Sequence, residues 1–202
     1  MKLASIDIET TGLDADQNQT LEIGIVLYNS DIHGTDFSKI DFDADLPALN
    51  LRLIHEPEDL RYDDFCYNLN QHLIDPLLME DHAAGHNYYY CMPDEVEDEI
   101  HSFLELHNFT DERVTRLNVV GKNFNAFDSR FLEKIITRRK ISFKQRVLDP
   151  AILYFDITRD TELPTLKTCI NRSGLFKRNY QVAHTAVQDA VDTLKLSLFK
   201  LI

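Results

Sequence analysis

The chain has 202 residues, of which 44% are hydrophobic and 27% are charged, with only 6 glycines and 6 prolines. This composition is typical of a globular protein and excludes disordered and collagen-like chains. No run of about 18 apolar residues predicts a membrane-spanning helix, and the N-terminal sequence MKLASIDIETTG becomes charged too early for a signal peptide. Because the three cysteines are scattered, we expect a reducing, cytoplasmic setting.

The net charge of −13 is unevenly distributed along the chain. Residues 1–121 contain 6 lysines and arginines against 26 aspartates and glutamates, whereas residues 122–202 contain 15 against 8. One short stretch of the second part holds seven basic residues: Arg130, Lys134, Arg138, Arg139, Lys140, Lys144 and Arg146. This asymmetry predicts a local basic face on an acidic body, and the alternative is an ordinary solvated surface.

Hydrophobic patterning predicts three strands in the first part of the chain. Residues 3–8 and 21–28 are apolar, β-branched runs that are close enough to pair as a hairpin. Residues 49–54 alternate between apolar and polar side chains, which is typical of an edge strand. The Asp-rich residues 29–46 predict a loop, and residues 55–92 predict short helical or irregular pieces.

The second part predicts helices that alternate with short strands. The first predicted helix begins just after Pro93. Further helices are predicted over 128–139, 151–155, 163–170 and from Thr185 to the end. A short strand is predicted over 117–120, and a short strand or a turn over 147–150. Strands followed by alternating helices and strands favour a mixed α/β sheet, here in a single domain over residues 1–202.

The first chemical signal is the pair Asp7 and Glu9 at the end of the first strand. Residues two apart on a strand point to the same face, so Ile6 and Ile8 face one side and the two carboxylates face the other. Such carboxylates repel each other and lose hydration unless a cation lies between them. Mg²⁺ and Mn²⁺ bind hard oxygen ligands of this kind, and the alternative is a solvated strand end without a metal.

Further polar signals lie at the start of two predicted helices. Asp128 begins a helix after the apolar run 117–120, where an Asp is also a good N-cap. His184 precedes the terminal helix, and Asp189 is expected in its second turn. Each signal is weak alone, but in order they read D-x-E-T-T-G, then N-x-x-x-F-D, then H-x-x-x-x-D. The chain therefore resembles the DEDDh branch of the DnaQ-like 3′→5′ exonucleases.

Three segments carry this resemblance and match the exonuclease motifs in order: Asp7–Gly12, Asn123–Asp128 and His184–Asp189. The resemblance covers residues 1–30 and 93–202. Residues 31–92 form an insertion after the second strand that is more similar to the phage-type members of the family. The resemblance implies an α/β, ribonuclease H-like mixed sheet flanked by helices.

The resemblance also implies two divalent cations, Mg²⁺ or Mn²⁺, as cofactors. Asp7 would bridge both cations, and Glu9 and Asp189 would complete the site of the cation that activates water. Asp128 would serve the second cation, at the leaving 3′ oxygen. His184 would be the general base, because imidazole titrates near neutral pH.

The implied substrate is the 3′ end of a nucleic acid, foremost single-stranded DNA, from which nucleoside monophosphates are released. Thr11, Gly12 and Leu13 would hold the terminal nucleotide, with Leu13 against a base, and Asn123 would be a further substrate contact. We expect no membrane partner, and a phage-encoded chain would act in the host cytoplasm. The sequence leaves protein partners and the oligomeric state open, a homodimer included.

Two other functions stay open at this point. An RNA-trimming or oligoribonuclease-like 3′→5′ exoribonuclease differs by its contact to the 2′-hydroxyl, which these motifs do not encode. A non-catalytic docking module for nucleic acid or protein, built on an exonuclease fold, is the other. Such a module is expected to have lost carboxylates, whereas this chain retains all four and the histidine.

Overall fold

Strands and helices alternate along residues 1–111, 113–177 and 179–201, which the computed structural model describes. The strands are β1 (Lys2–Thr10), β2 (Thr20–Asn29), β3 (Ala48–Leu53), β4 (Tyr89–Cys91), β5 (Thr115–Leu117), β6 (Val119–Val120) and β7 (Ile141–Phe143). The helices are α1 (Ser30–His33), α2 (Asp64–Leu78), α3 (Val96–Leu106), α4 (Asp128–Ile135), α5 (Pro150–Leu153), α6 (Leu166–Ser173) and α7 (Ala186–Lys200). Two short 3₁₀ turns cover Phe37–Lys39 and Pro57–Asp59.

The main sheet has five strands in the order β4-β3-β2-β1-β6. Strands β1, β2 and β3 pair antiparallel, whereas β6 pairs parallel to β1 and β4 pairs parallel to β3. Strands β5 and β7 form a separate parallel pair. The predictions of an initial hairpin and of a mixed α/β sheet flanked by helices are confirmed.

The prediction that the third strand lies at an edge is wrong. Strand β3 lies between β2 and β4, with Leu51 opposite Tyr89 and Leu53 opposite Cys91. Its alternation has another cause: Leu49, Leu51 and Leu53 enter the core, while the residues between them are only partly buried. An alternating pattern reports one buried face and does not report whether a neighbouring strand is present.

Helices cover both faces of the sheet. On one face, Ile6 and Ile8 of β1 pack in a cluster that includes residues of α3 and α4. On the other face, Leu3 packs against the terminal helix α7, whose Leu194 and Leu198 are buried. Burial of each such large aliphatic side chain stabilises the fold by about 1.5–3 kcal/mol. Side chains at odd-numbered positions of β1 therefore face α7.

Helix α4 is shorter than the sequence predicts and ends at Ile135 rather than at Arg139. The buried carboxylate of Glu97, on α3, accepts hydrogen bonds from the backbone N–H groups of Thr137 (3.0 Å), Lys140 (2.9 Å) and Ile141 (3.2 Å). A distant carboxylate thus binds N–H groups that a longer helix would pair internally. Most of the predicted basic stretch consequently lies on a turn and on the residues after β7, rather than on a helix.

Residues 29–92 contain more regular structure than the sequence predicts. Within the predicted loop, α1 forms, and Phe37 packs against α7. Within residues 55–92, predicted as short helical or irregular pieces, α2 runs for 15 residues despite Pro76 and non-helical dihedral angles at Asn70. None of the helices within the described ranges combines the length and the apolar character that a membrane span requires.

Candidate metal centre

Strand β1 places two carboxylates on the face that α7 covers. Asp7 and Glu9 follow Ser5 on the same face of β1, and the Ser5 hydroxyl donates a hydrogen bond to the Ala190 carbonyl oxygen of α7 (2.7 Å). Glu9 is buried. The expected alternation of β1 is confirmed, since Ile6 and Ile8 enter the core on the opposite face.

Helix α7 brings a third carboxylate to this face because β2 allows a close approach. A Cβ atom on Gly24 would lie 2.2 Å from the Ala186 carbonyl carbon and 2.3 Å from the Val187 nitrogen. Only glycine therefore permits the first turn of α7 to rest on the strand. Asp189 lies in that first turn rather than in the second, and its carboxylate is buried.

Asp7, Glu9 and Asp189 form one acidic group, with a carboxylate oxygen of each within 4.8 Å of those of the other two. Burial, and then the charges of Asp128, Asp189 and Glu9, raise the pKa of Asp7 well above its ordinary value. Burial and the charge of Asp189 raise the pKa of Glu9 to about 8. Like charges at this spacing, removed from water, require protons or a cation.

Asp128 adds a fourth carboxylate beside this group. It lies outside the 4.8 Å set, but after burial its charge is the largest influence on the pKa of Asp7. Burial raises the pKa of Asp128 itself to about 7. The backbone N–H groups of Asp128 and Ile8 and the charge of Lys122 oppose this rise. Lys122 is thus a cation near the site that the sequence analysis did not identify.

The donor set fits a divalent metal ion. Among the described residues, the Oδ1 atom of Asp189 is buried and has no hydrogen-bond partner, so a buried lone pair is free to coordinate a cation. Burial and the charge of Asp192 raise the pKa of Asp189 to about 7. Oxygen-only ligands favour Mg²⁺ or Mn²⁺ over softer metals. Asp7, Glu9 and Asp189 are therefore the residues that would hold such an ion, with Asp128 beside them.

Glu22 is a supporting residue that the sequence analysis missed. Its side chain is fully buried and accepts hydrogen bonds from Nε of Arg52 (3.2 Å) and from the backbone N–H of Ala186 (2.9 Å). It thereby ties β2 to β3 and to the start of the helix that carries Asp189. The signal was present, because Glu22 is the one charged residue in the apolar run LEIGIVLY, and a buried charge needs a partner.

Asn70 links the inserted segment to the candidate centre. Its Nδ2 donates a hydrogen bond to the Thr10 carbonyl oxygen (2.9 Å), and its side chain opposes the rise in the pKa of Glu9. Asn70 is buried at the point where α2 departs from helical dihedral angles. Residues 31–92 therefore contribute a side chain to the site, which no local pattern in the sequence indicated.

The remaining predicted site residues lie around the group in different environments. Thr11 and Gly12 are buried just after β1, and Leu13 is 81% exposed. The side chain of Asn123 is exposed, and its backbone N–H donates to Asp149 (2.8 Å). His184 is exposed just before α7, and its backbone N–H lowers the pKa of Asp189. The structure thus brings the acidic residues close together, and the backbone N–H of His184 lies near the Asp189 carboxylate.

Replacing Glu22 with Gln should destabilise the protein by about 3 kcal/mol or more, because Arg52 would lose the charge that compensates it in a largely buried site. Urea unfolding measures this change, and a Mn²⁺ titration should show weaker binding because a neutral amide oxygen accepts the Ala186 N–H less strongly than the carboxylate does and holds α7 less firmly. A matched control is the double variant Glu22→Gln/Arg52→Gln, which should recover part of the stability. Equal stability of the wild type and Glu22→Gln would contradict the role of this ion pair.

Without divalent cations, the melting temperature should fall as the pH rises from 5 to 8. The pKa values of Glu9, Asp128 and Asp189 in the fold are about 8, 7 and 7, whereas unfolded carboxyl groups titrate near pH 4. The folded state therefore binds more protons in this interval and loses stability as they leave.

Added Mn²⁺ should raise the melting temperature more at pH 8 than at pH 5, because the cation replaces those protons. Thermal melts in EDTA and in MnCl₂ at both pH values test this. The exposed-site variant Glu162→Gln should keep the wild-type pattern. A cation effect of the same size at both pH values would count against the site.

Comparison with known proteins adds no further evidence on function. No protein-family model matches the chain, and no curated protein matches it.

Proposed function

We propose that this protein is a metal-dependent 3′→5′ exonuclease of the DEDDh type with a ribonuclease H-like fold, acting on single-stranded DNA. The observation that carries the proposal is the convergence of Asp7, Glu9 and Asp189, with Asp128 beside them. These residues come from the three motifs that resemble the exonuclease family and lie far apart in the sequence. The sheet supports the fold assignment, since antiparallel β1–β3 are continued by the parallel strand β6.

The proposed reaction is hydrolysis of the terminal phosphodiester. The oxygen of a water molecule forms a bond to phosphorus, the bond from phosphorus to the 3′ oxygen breaks, and the shortened strand keeps a 3′-hydroxyl. Divalent cations at such a site supply charge neutralisation at the phosphate and lower the pKa of water. The four carboxylates hold those cations.

Other residues of the chain move the proton and position the strand. The imidazole of His184 is solvent-exposed beside the Asp189 turn, where it accepts the proton of the attacking water. The exposed side chain of Leu13 offers an apolar surface for the terminal base, next to the buried Thr11–Gly12 backbone.

The decisive experiment uses 5′-labelled DNA and RNA oligonucleotides, single- and double-stranded, with Mg²⁺, Mn²⁺ or EDTA. We expect a ladder that shortens from the 3′ end of single-stranded DNA, release of nucleoside monophosphates, and no reaction in EDTA. A 3′-terminal phosphorothioate should slow the first step. Faster degradation of RNA would favour an exoribonuclease, and intact strands under every condition would favour a non-catalytic docking module.

A further inference from the structure

A basic groove of about 870 Å³ lies between α4 and the segment that follows β7. Four cationic side chains line it, against the single carboxylate of Glu133: Arg116, Arg138, Lys144 and Arg146. In a protein with a net charge of −13, this is a local reversal of sign. Such a groove attracts a polyanion.

The structure divides the predicted basic stretch into two parts. Lys134 forms an ion pair with Asp16, and Lys140 forms one with Asp98. In contrast, Lys144 and Arg146 have no carboxylate within 4.0 Å among the described residues, and Nζ of Lys144 donates only to Asn118 (3.0 Å). Within the groove, Arg138 pairs with Glu133, so Lys144 and Arg146 are groove cations that remain available for a ligand.

The groove is held in place by buried contacts. The carboxylate of Glu97 fixes the turn from Thr137 to Ile141, which carries Arg138 into the wall. Strand β5 pairs with β7 so that Arg116 lies opposite Ser142. A ligand therefore meets cations whose backbone is already ordered, which reduces the entropic cost of binding.

The lining favours a nucleic acid strand over other polyanions. Phe143 is half-buried in the lining, edge-on to Phe124 at a centroid distance of 5.2 Å, and aromatic rings of this kind stack on unpaired bases. The side-chain amides of Asn118, Asn125 and Gln145 also line the groove. The groove thus offers cations for phosphates, and an aromatic ring and amides for bases.

One segment of chain contributes residues both to the groove and to the candidate metal centre. Phe124, Asn125 and Ser129 line the groove, and Asp128 lies between them in the sequence. We propose that the basic groove binds the backbone of the single strand at nucleotides away from its 3′ end. This inference rests on the proposed function for its ligand, but the groove can be tested without any hydrolysis.

The test measures binding of a fluorescein-labelled single-stranded DNA 20-mer in EDTA across a series of salt concentrations. The double variant Lys144→Gln/Arg146→Gln should weaken binding on the order of tenfold and reduce the log–log salt slope by about 1.4, or about 0.7 for each lost phosphate contact. The matched control Arg139→Gln/Lys140→Gln removes the same charge outside the groove and should retain the wild-type slope. The single variant Arg146→Gln, at an exposed position, should show half of the slope change.

Several results would overturn the proposal. An equal loss of affinity in the groove variant and in the control would indicate only a general charge effect. Tighter binding of duplex DNA, or equal competition by polyglutamate, would exclude a single strand as the occupant. Groove-dependent binding by a wild-type protein that hydrolyses nothing with Mn²⁺ would instead support the groove and reject the proposed function. Hydrolysis without groove-dependent binding would support the proposed function and reject the groove as the binding site of the strand.

Discussion

Replacing Asp7 with Asn should reduce the hydrolysis rate by about a thousandfold or more, since cation catalysis contributes several kcal/mol and each 1.36 kcal/mol is tenfold in rate. Asp7 interacts electrostatically with all the other acidic residues of the site, because the charges of Asp128, Asp189 and Glu9 each raise its pKa. The amide retains the shape of the side chain and removes the charge that a cation requires. Single-turnover hydrolysis of a labelled single strand in saturating Mn²⁺ measures the loss.

The same variant should be more stable than the wild type when both lack metal at pH 8. Loss of one buried charge relieves repulsion among the acidic residues, and each kcal/mol gained should raise the melting temperature by about 2–4 °C. The control Glu162→Gln removes a charge from an exposed loop and should change neither activity nor stability. An Asp7→Asn protein that hydrolyses DNA at the wild-type rate would exclude this residue from the reaction.

The parts of the fold that the sequence predicted are those set by local patterns. Strands β1 and β2 are rich in aliphatic and β-branched residues, and α7 repeats small and apolar residues at every fourth position, so local patterns alone located them. The sequence motifs also identified the three carboxylates that converge, two of which lie on β1 and one on α7. Their convergence itself depends on Gly24, whose missing Cβ lets α7 approach β2.

The parts that the sequence did not predict depend on long-range contacts. Helix α4 stops at Ile135 because the carboxylate of Glu97, about forty residues earlier, binds the next N–H groups. Helix α2 was predicted only as short helical or irregular pieces because Pro76 and Asn70 interrupt its pattern, although tertiary packing of Leu73 and Leu77 holds it together. Asn70 reaches Glu9 only through that packing. Propensity and periodicity contain no information about such partners.

Replacing His184 with Asn should lower kcat by about 10²–10⁴-fold, the usual contribution of a general base. His184 has a φ of 52°, and Asn is tolerated in this left-handed region as well as His is. The Asn variant therefore keeps the backbone whose N–H lies near Asp189, and it removes only the imidazole. Thermal stability and the Mn²⁺ affinity, measured from the shift in melting temperature, should stay close to those of the wild type.

The pH dependence distinguishes a base from a structural histidine. In saturating Mn²⁺, which keeps the carboxylates of raised pKa ionised, the acid limb of the wild-type pH–rate profile should be absent in His184→Asn. His184→Ala is the companion variant, because Ala lacks the left-handed preference of Asn and reports on backbone strain. If both variants lose activity only in proportion to the fraction unfolded, and retain the acid limb, then His184 acts on the fold and another group accepts the proton.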